Sequence, residues 1–312
     1  MRGRFGDPPR STPPGIRAVR ERYFLSLIVV VMLASAPAVA AEPEDPARFS
    51  DSPWTRFLAE AFPEGLDPER SRQPRTIRDP GPDTANYPNS PDTLPRGGVY
   101  IETSPVFYSA AISTIQPSTY NAEYLLRLGL TDRVEFRLFS SGFTWQAAGL
   151  GMPATTGVSP LIFDTKIHFW EENREWFVPA AGFEAFIQTP WGSPAFNAGT
   201  QPALMMLFRN TLFWGLTAEY NVGVAADSTQ DGFTPVDIAQ WAISKSLTDD
   251  FQIFVHGFQN ESALPRVSAQ TVVGTGFVWF PSDRISVYGN WGWGTDKSGP
   301  ATTFQLGIAG SL

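Results

Sequence analysis

The sequence contains no cysteine and only two histidines among its 312 residues. The absence of cysteine excludes a disulfide framework and thiolate-bound metals. Two histidines, His168 and His256, are too few for an imidazole-rich centre, and no nucleophile motif surrounds any serine. The sequence therefore predicts no catalytic residue, no metal site and no cofactor, and we expect a protein that is not an enzyme.

Basic residues are also scarce, since 23 Lys and Arg stand against 31 Asp and Glu, and the net charge is −8. Six of the arginines fall within the first 40 residues, so the remainder is still more acidic. An acidic chain is repelled by the phosphate backbone. We therefore expect no nucleic-acid partner.

An export signal is indicated at the start of the chain. Residues 24–34 are apolar except for one serine; a flank containing three arginines precedes them, and Ala38-Val39-Ala40 follows. This order is typical of a cleaved secretory signal peptide, which we assign to residues 1–41. A retained signal anchor is the alternative, but the run is shorter than the roughly 20 residues that span a bilayer.

Residues 42–96 are rich in proline, which interrupts both helices and sheet ladders. We interpret them as a periplasmic leader that is largely disordered. Within it, the apolar residues between Trp54 and Phe62 have helical spacing. That island is either a short amphipathic helix or a fluctuating hydrophobic patch.

From Gly97 to the C-terminus, apolar and polar residues alternate in segments of about ten residues separated by turn formers, as in β-strands. In residues 120–130 the even positions are apolar, apart from their tyrosines, and the odd ones include Glu123 and Arg127. About twelve segments are predicted, namely 99–108, 120–130, 133–138, 164–170, 176–188, 203–209, 212–222, 237–247, 251–259, 271–279, 285–293 and 304–309.

These features predict an all-β chain in which residues 97–312 form a transmembrane, antiparallel up-and-down β-barrel of about 12 strands. A secreted or periplasmic β-sandwich would show the same alternation. The export signal, strands long enough to cross a bilayer, and Trp and Tyr at strand ends favour the membrane barrel. We expect the protein in the bacterial outer membrane, in contact with its lipid and inserted by the barrel-assembly machinery.

Several short motifs in this region resemble a known family. Residues 124–137, YLLRLGLTDRVEFR, are similar to a hairpin of the bacterial family labelled putative MetA-pathway of phenol degradation. Residues 157–161, 189–193, 220–223 and 244–249 resemble later motifs of that family in the same order. The resemblance covers about residues 97–312. It implies an outer-membrane protein with transporter-like function, for hydrophobic or aromatic compounds, without catalytic residues.

The alternation also predicts which polar side chains face the lumen. We expect them to select a solute or to pair across the interior and hold the barrel shut. The predicted function is a channel or transporter for small, hydrophobic or aromatic solutes. The alternatives are a plugged barrel that serves as an envelope anchor or interaction protein, and a barrel lipid hydrolase. The predicted lumen-lining residues are Glu123, Arg127, Arg133, Glu135, Arg137, Asp164, Lys166, His168, Glu184 and Glu219.

Overall fold

The computed structural model describes residues 76–112, 116–229, 232–260, 269–295 and 297–312. The expected signal peptide, residues 42–75 of the leader and the Trp54–Phe62 island lie outside these residues. The strands are β1 Val99–Ser109, β2 Thr119–Gly129, β3 Val134–Gln146, β4 Thr155–Val158, β5 Ile162–Trp170, β6 Ala180–Gln188, β7 Gln201–Thr211, β8 Leu216–Thr229, β9 Gly232–Thr248, β10 Phe251–Asn260, β11 Gln270–Ser282, β12 Ile285–Gly294 and β13 Thr303–Ser311.

The strands close into one antiparallel barrel. Each strand from β5 to β12 pairs with the next in sequence, β1 pairs with both β2 and β13, and β2 pairs with β3. Strands β4 and β5 both pair with β3, β4 near its C-terminal end and β5 near its N-terminal end, so together they fill one strand position. The barrel therefore has twelve strand positions, which confirms the predicted architecture.

Two predicted strands begin four residues later than the sequence pattern indicates. Strand β8 begins at Leu216 because Trp214 has a φ of 61° inside a one-turn 3-10 helix. Strand β6 begins at Ala180, and Trp176 likewise ends a 3-10 turn. Both tryptophans are strongly exposed, at 79% and 73% for Trp214 and Trp176. Large apolar side chains at the ends of strands continue the alternation into the turn, which explains the error.

The two ends of the barrel differ. One end, here named the turn end, carries tight connections such as 249–250 and 283–284, and also the first residue of β1 and the last of β13. There the Leu312 N–H donates to the Val99 carbonyl at 2.9 Å. The opposite loop end carries longer connections such as 110–118, 147–154 and 189–200. Outer-membrane barrels place short turns towards the periplasm and long loops outside the cell.

The outward face of the wall is largely apolar. In β13, Phe304, Leu306 and Ile308 are exposed, and the residues between them are buried. Exposed aromatic residues collect near both ends, for example Trp176 at the turn end and Trp191 at the loop end. An apolar belt between aromatic girdles is the surface that a barrel presents to lipid. Among the residues with assigned coordinates, no helix is long and apolar enough to cross a membrane.

The lipid-facing belt gives a stability prediction. We expect Leu306→Arg, at the middle of β13, to lower the free energy of unfolding by about 2–4 kcal/mol because it places a charge in hydrocarbon. Phe213→Arg is the matched control, since Phe213 is exposed in the 213–215 turn. It should cost about 1 kcal/mol or less. Urea unfolding in lipid vesicles measures both, and equal costs would contradict the assigned lipid face.

Candidate functional site

The lumen contains a segment of the chain itself, residues 76–98, which we name the inward loop. It enters at the turn end, where the Ile77 N–H donates to the Asp283 carbonyl at 2.7 Å. It reaches up to Tyr87, whose ring stacks on His256 with centroids 4.1 Å apart. It returns to the turn end, where the Gly97 N–H donates to the Gly129 carbonyl at 2.8 Å.

The inward loop is packed in place by its own apolar residues as well. Ile77 and Leu94 are completely buried, and Ala85 is nearly so. The proline-rich composition predicts that residues 42–96 form a largely disordered leader. In the structure, residues 76–96 instead lie inside the barrel, because the polar lumen supplies partners for their polar groups.

Two glycines of the wall allow the inward loop to approach closely. A Cβ atom at Gly129 would lie 2.1 Å from the Pro95 carbonyl oxygen. At Gly182 it would lie 3.0 Å from the Pro91 carbonyl oxygen. The wall is therefore shaped to receive the loop backbone at these positions.

Arg127 of β2 is the centre of the contact between wall and loop. Its side chain is completely buried and binds Glu135 through Nε–Oε1 at 2.7 Å and Nη2–Oε2 at 3.1 Å. Its Nη1 donates to Glu102 at 3.1 Å and to the Gly81 carbonyl of the inward loop at 2.8 Å. A buried guanidinium needs several acceptors, here Glu135, Glu102 and the Gly81 carbonyl, because an uncompensated charge inside a protein is costly.

Both wall carboxylates that bind Arg127 also bind the backbone of the inward loop. Glu102 accepts from the N–H groups of Asp83 and Thr84, at 3.1 and 2.8 Å. Glu135 accepts from the Leu94 N–H at 2.8 Å. Each carboxylate thus joins a wall cation to a loop donor, and the loop and the wall satisfy each other's polar groups.

Asp83 places a negative charge of the inward loop among three wall cations. Its carboxylate lies 2.5 Å from Lys166 Nζ, 3.3 Å from Arg127 Nη2 and 3.6 Å from Arg137 Nη2. Burial alone would raise the pKa of Asp83, but the charges of Arg127, Lys166 and Arg137 together lower it to about 2. Asp83 is therefore ionised at neutral pH and holds the loop electrostatically.

A second set of contacts binds the returning arm of the loop. Arg137 binds Glu184 at 2.7 Å and Asp164 at 3.0 Å. The Asn89 amide of the loop donates to both oxygens of Glu184, at 2.9 and 2.7 Å. Arg209 of β7 pairs with Asp92 of the loop.

Most predicted lumen residues are inside the barrel. Arg127, Glu135, Arg137, Asp164, Lys166, His168 and Glu184 are buried there. Glu123 is half-buried against the cavity described below, and Glu219 is half-buried near Asn86 of the loop. Arg133 is an exception: it is exposed in the turn before β3, because the strand begins only at Val134.

The two histidines do not form a catalytic group with a serine at the lipid face. Both are buried in the lumen, where His168 Nδ1 lies 3.2 Å from the Pro91 carbonyl oxygen and His256 stacks on Tyr87. A lipid hydrolase would need its nucleophile at the membrane surface. In the described part of the chain, no three His, Asp or Glu residues are grouped to hold a metal.

Sequence reasoning missed the loop partners and two charged residues of the wall strands. Glu102 and Arg209 lie on predicted strands and have inward parity, so the alternation could have found them. Asp83, Asn89 and Asp92 lie in the proline-rich leader, where no periodicity marks a residue as inward.

A cavity of about 270 Å³ lies between the inward loop and the wall. Its lining combines carboxylates, amides and apolar rings. A second cavity of about 220 Å³ is lined by polar residues nearer the loop end, including Thr119, Gln146 and Gln188. The first cavity is lined by Asp83, Thr84, Asn86, Tyr87, Asn89, Phe107, Glu123, Leu125, Arg137, Phe139, Ile162, Asp164, Glu184, Phe186, Met205, Gln240 and Gln305.

Residues 82–312 match the family described as Putative MetA-pathway of phenol degradation. The chain belongs to this family. The match includes most of the inward loop as well as the barrel, so the loop is within the family's shared region. No curated protein matches the sequence.

Solved structures with a similar fold are outer-membrane proteins. The COG4313 outer membrane channel from Pseudomonas putida F1 is 16% identical, with a TM-score of 0.56 over 72% of this chain and 98% of that chain. The NanC porin is 8% identical, with a TM-score of 0.46 over 69% of this chain and 100% of that one. At 16% identity the likeness to the first of these structures shows the fold alone, which is that of an outer-membrane β-barrel.

The Arg127 cluster gives a second stability prediction. We expect Arg127→Met to lower the free energy of unfolding by about 3–5 kcal/mol, because it leaves Asp83, Glu102 and Glu135 without their shared cation. Arg174→Met is the control, since that side chain is 72% exposed, and should change stability by less than about 0.5 kcal/mol. Urea titration in detergent micelles compares the two, and a similarly small effect of both would show that the cluster does not hold the fold.

Proposed function

We propose that the protein is an outer-membrane channel for small solutes, closed at its periplasmic half by the inward loop. The observation that carries the proposal is the way the loop is attached. Backbone hydrogen bonds join it to the barrel at Ile77 and Gly97, near its two ends. Between these points its contacts with the wall run largely through side chains such as Glu102, Arg127 and Glu184.

This attachment allows the loop to leave without breaking the barrel. The wall is held by its own closed ladder of strand pairs, which does not include the loop. The contacts that hold the loop are the apolar packing of Ile77, Ala85 and Leu94 together with ion pairs and hydrogen bonds, and the net contribution of the ion pairs is moderate because desolvation offsets attraction. The loop can therefore open a passage that the barrel keeps intact.

The lining of the cavity favours small solutes that have an apolar part. Phe107, Phe139 and Phe186 face the space together with polar side chains. Ligand sites with such lining orient a solute by a few polar groups and bind its body by apolar contact. Aromatic or otherwise hydrophobic solutes would make both kinds of contact. The family's description, which names phenol degradation, agrees with this class of solute.

A second candidate function is a sealed envelope anchor. The observation that favours it is the same buried loop, which fills the lumen near the turn end. Conductance separates the two candidates, because an anchor stays sealed when the loop contacts are weakened.

The test is single-channel recording of the full chain in planar bilayers. We expect the wild type to be closed most of the time. In the double variant Asp83→Asn, Asp92→Asn we expect the open fraction to rise at least about tenfold, because the loop loses both charges that pair with Arg127, Lys166 and Arg209. Glu175→Gln, an exposed position in a turn, is the control and should behave as the wild type.

Urea unfolding of the double variant establishes that its barrel is folded. Sealed membranes with the folded double variant would contradict the channel and leave the anchor as the function.

A further inference from the structure

The second cavity, of about 220 Å³, differs from the first because none of the described residues that line it is charged. It lies nearer the loop end, where β2 begins and β3 and β6 end, and we name it the outer vestibule. Its lining consists mostly of side-chain amides and hydroxyl groups. The amides include those of Asn121, Gln146 and Gln188, and the hydroxyl groups include those of Thr119 and Thr144.

A β-bulge in β3 turns part of this lining towards the lumen. Ala122 of β2 lies opposite both Gly142 and Phe143, and Gly142 has a φ of 61°. Before the bulge, odd-numbered residues of β3 such as Arg137 are buried inside, whereas beyond it the odd-numbered Phe143 is exposed. A bulge adds one residue to a strand and so exchanges its two faces. The even-numbered Gln146 therefore faces the vestibule.

The amides of Asn121 and Gln146 are available to a ligand. They are diagonal neighbours on adjacent strands, because Gln146 lies opposite Thr119. Within the described ranges neither side chain forms a hydrogen bond with the protein. Their polar atoms are also not among the fully buried ones that lack a partner, so both amides keep accessible surface in the vestibule. Each amide offers one acceptor oxygen and two N–H donors.

The connection 189–200 forms a fixed side of the vestibule. The Ser193 N–H donates to the Val158 carbonyl of β4 at 2.9 Å, and the Ser193 hydroxyl accepts from the Val158 N–H at 2.9 Å. A Cβ atom at Gly157 would lie 2.6 Å from Ser193 Cβ and 3.0 Å from Phe196 Cδ2. The glycine thus lets the connection pack against β4, and Phe196 adds an apolar surface to the lining. A site formed before the ligand arrives loses less entropy on binding.

This lining favours a neutral ligand that has several hydroxyl groups. A charged ligand would lose hydration on entering, and the described lining holds no ion of opposite charge to replace it. Hydroxyl groups both donate and accept, as the lining does. The C–H face of a sugar ring can pack against Phe196.

The volume of the vestibule limits the ligand to one ring. A cavity of about 150 Å³ in a protein core is enough to bind benzene. The vestibule, at about 220 Å³, therefore has room for one six-membered ring with its substituents.

We propose that the outer vestibule binds neutral, polyhydroxylated ring compounds of the size of one monosaccharide. The amides of Asn121 and Gln146 form hydrogen bonds with the hydroxyl groups, and one face of the ring packs against Phe196. The proposal goes beyond the proposed channel function, because a solute reaches this site from the loop end whether or not the inward loop leaves the lumen.

The first test compares ligands that share a ring and differ in charge. Saturation-transfer NMR titrations use the full chain at pH 6 in lauryldimethylamine oxide, a detergent without a sugar head group. The ligands are neutral glucose, protonated glucosamine and anionic glucuronate. We expect glucose to bind at least about fivefold more tightly than either charged analogue, because the lining supplies no counter-ion. Absence of glucose binding, or equal or tighter binding of a charged analogue, would overturn the proposal.

A second comparison removes the hydroxyl groups and keeps the charge at zero. Tetrahydropyran-2-methanol has the same ring as glucose without the ring hydroxyl groups. We expect it to bind at least about fivefold more weakly than glucose, because it leaves the amides of the vestibule without partners. Equal binding of the two would show that apolar contact alone holds the ligand and would contradict the proposed recognition.

Variants then locate the site. We expect the double variant Asn121→Leu, Gln146→Met to weaken glucose binding at least about tenfold and each single variant about threefold, because hydrogen bonds to the ligand are lost. Neither amide has a partner among the described residues, so its removal leaves no group of the protein unpaired. Gln259→Met is the matched control, since Gln259 is exposed on β10 outside the vestibule.

Urea unfolding shows which variants are folded, and the single variants keep the test available where the double variant is not. Wild-type affinity for glucose in the folded variants would contradict the assigned site. An equal loss of affinity in Gln259→Met would contradict it as well.

The outcomes are distinct from those of the conductance experiment. Glucose binding in a protein that keeps bilayers sealed would retain the vestibule site and remove the channel. Open channels without glucose binding would retain the channel and remove the site.

Discussion

The structure depends on the burial of one guanidinium group in the lumen. Arg127 has no exposure to solvent, and its charge is balanced by Glu135 and Glu102 from the wall and by Asp83 from the inward loop. Removing a charge from water costs several kcal/mol unless acceptors replace the lost hydration. The wall supplies two of these acceptors and the loop supplies the rest, so the barrel and the loop complete one polar network together.

The same constraint accounts for the polarity of the strands. Every strand of the barrel has one face against lipid, which must be apolar, and one face against the lumen. The lumen face of β2, β3, β5 and β6 carries charges, and these charges need partners because little water remains near them. The inward loop brings backbone N–H groups and two carboxylates to that space, as seen at Leu94, Asp83 and Asp92.

The barrel could be predicted from sequence because its periodicity is local. Strand number, the inward parity of Arg127 and Glu184, and the outward parity of Leu306 all follow from alternation within single strands. The inward loop could not be predicted this way. Its residues are held by side chains from distant strands, as when Asn290 of β12 donates to the Ala85 carbonyl at 2.9 Å. Proline-rich composition indicates the absence of regular structure, and the inward loop shows that irregular backbone can still be ordered.

Arg133 is a residue for which alternation predicts the wrong environment. It continues the alternation of Glu135 and Arg137 by one step, yet the ladder ends at Val134 and the Arg133 side chain is exposed. The Arg133 carbonyl accepts from the His168 N–H of β5 at 2.8 Å, but the Arg133 N–H donates to the Thr131 hydroxyl within the turn. Alternation predicts a face reliably only where both backbone groups bond to the neighbouring strand. The wall charges that lie inside therefore belong to paired strand positions, such as Arg137 opposite Asp164 and Lys166 opposite Glu184.

The ion pairs between the inward loop and the wall are compatible with the opening that we propose. Net stabilisation by such pairs is small compared with the gross attraction, because desolvation of each charge opposes it. When the loop leaves, its charges and those of the wall regain water, and much of the lost attraction is recovered as hydration. A hydrophobic contact of equal area would lose its stabilisation on opening without such recovery. The ion pairs thus fix the geometry of the closed state while adding only moderately to the energy difference between it and the open state that we propose.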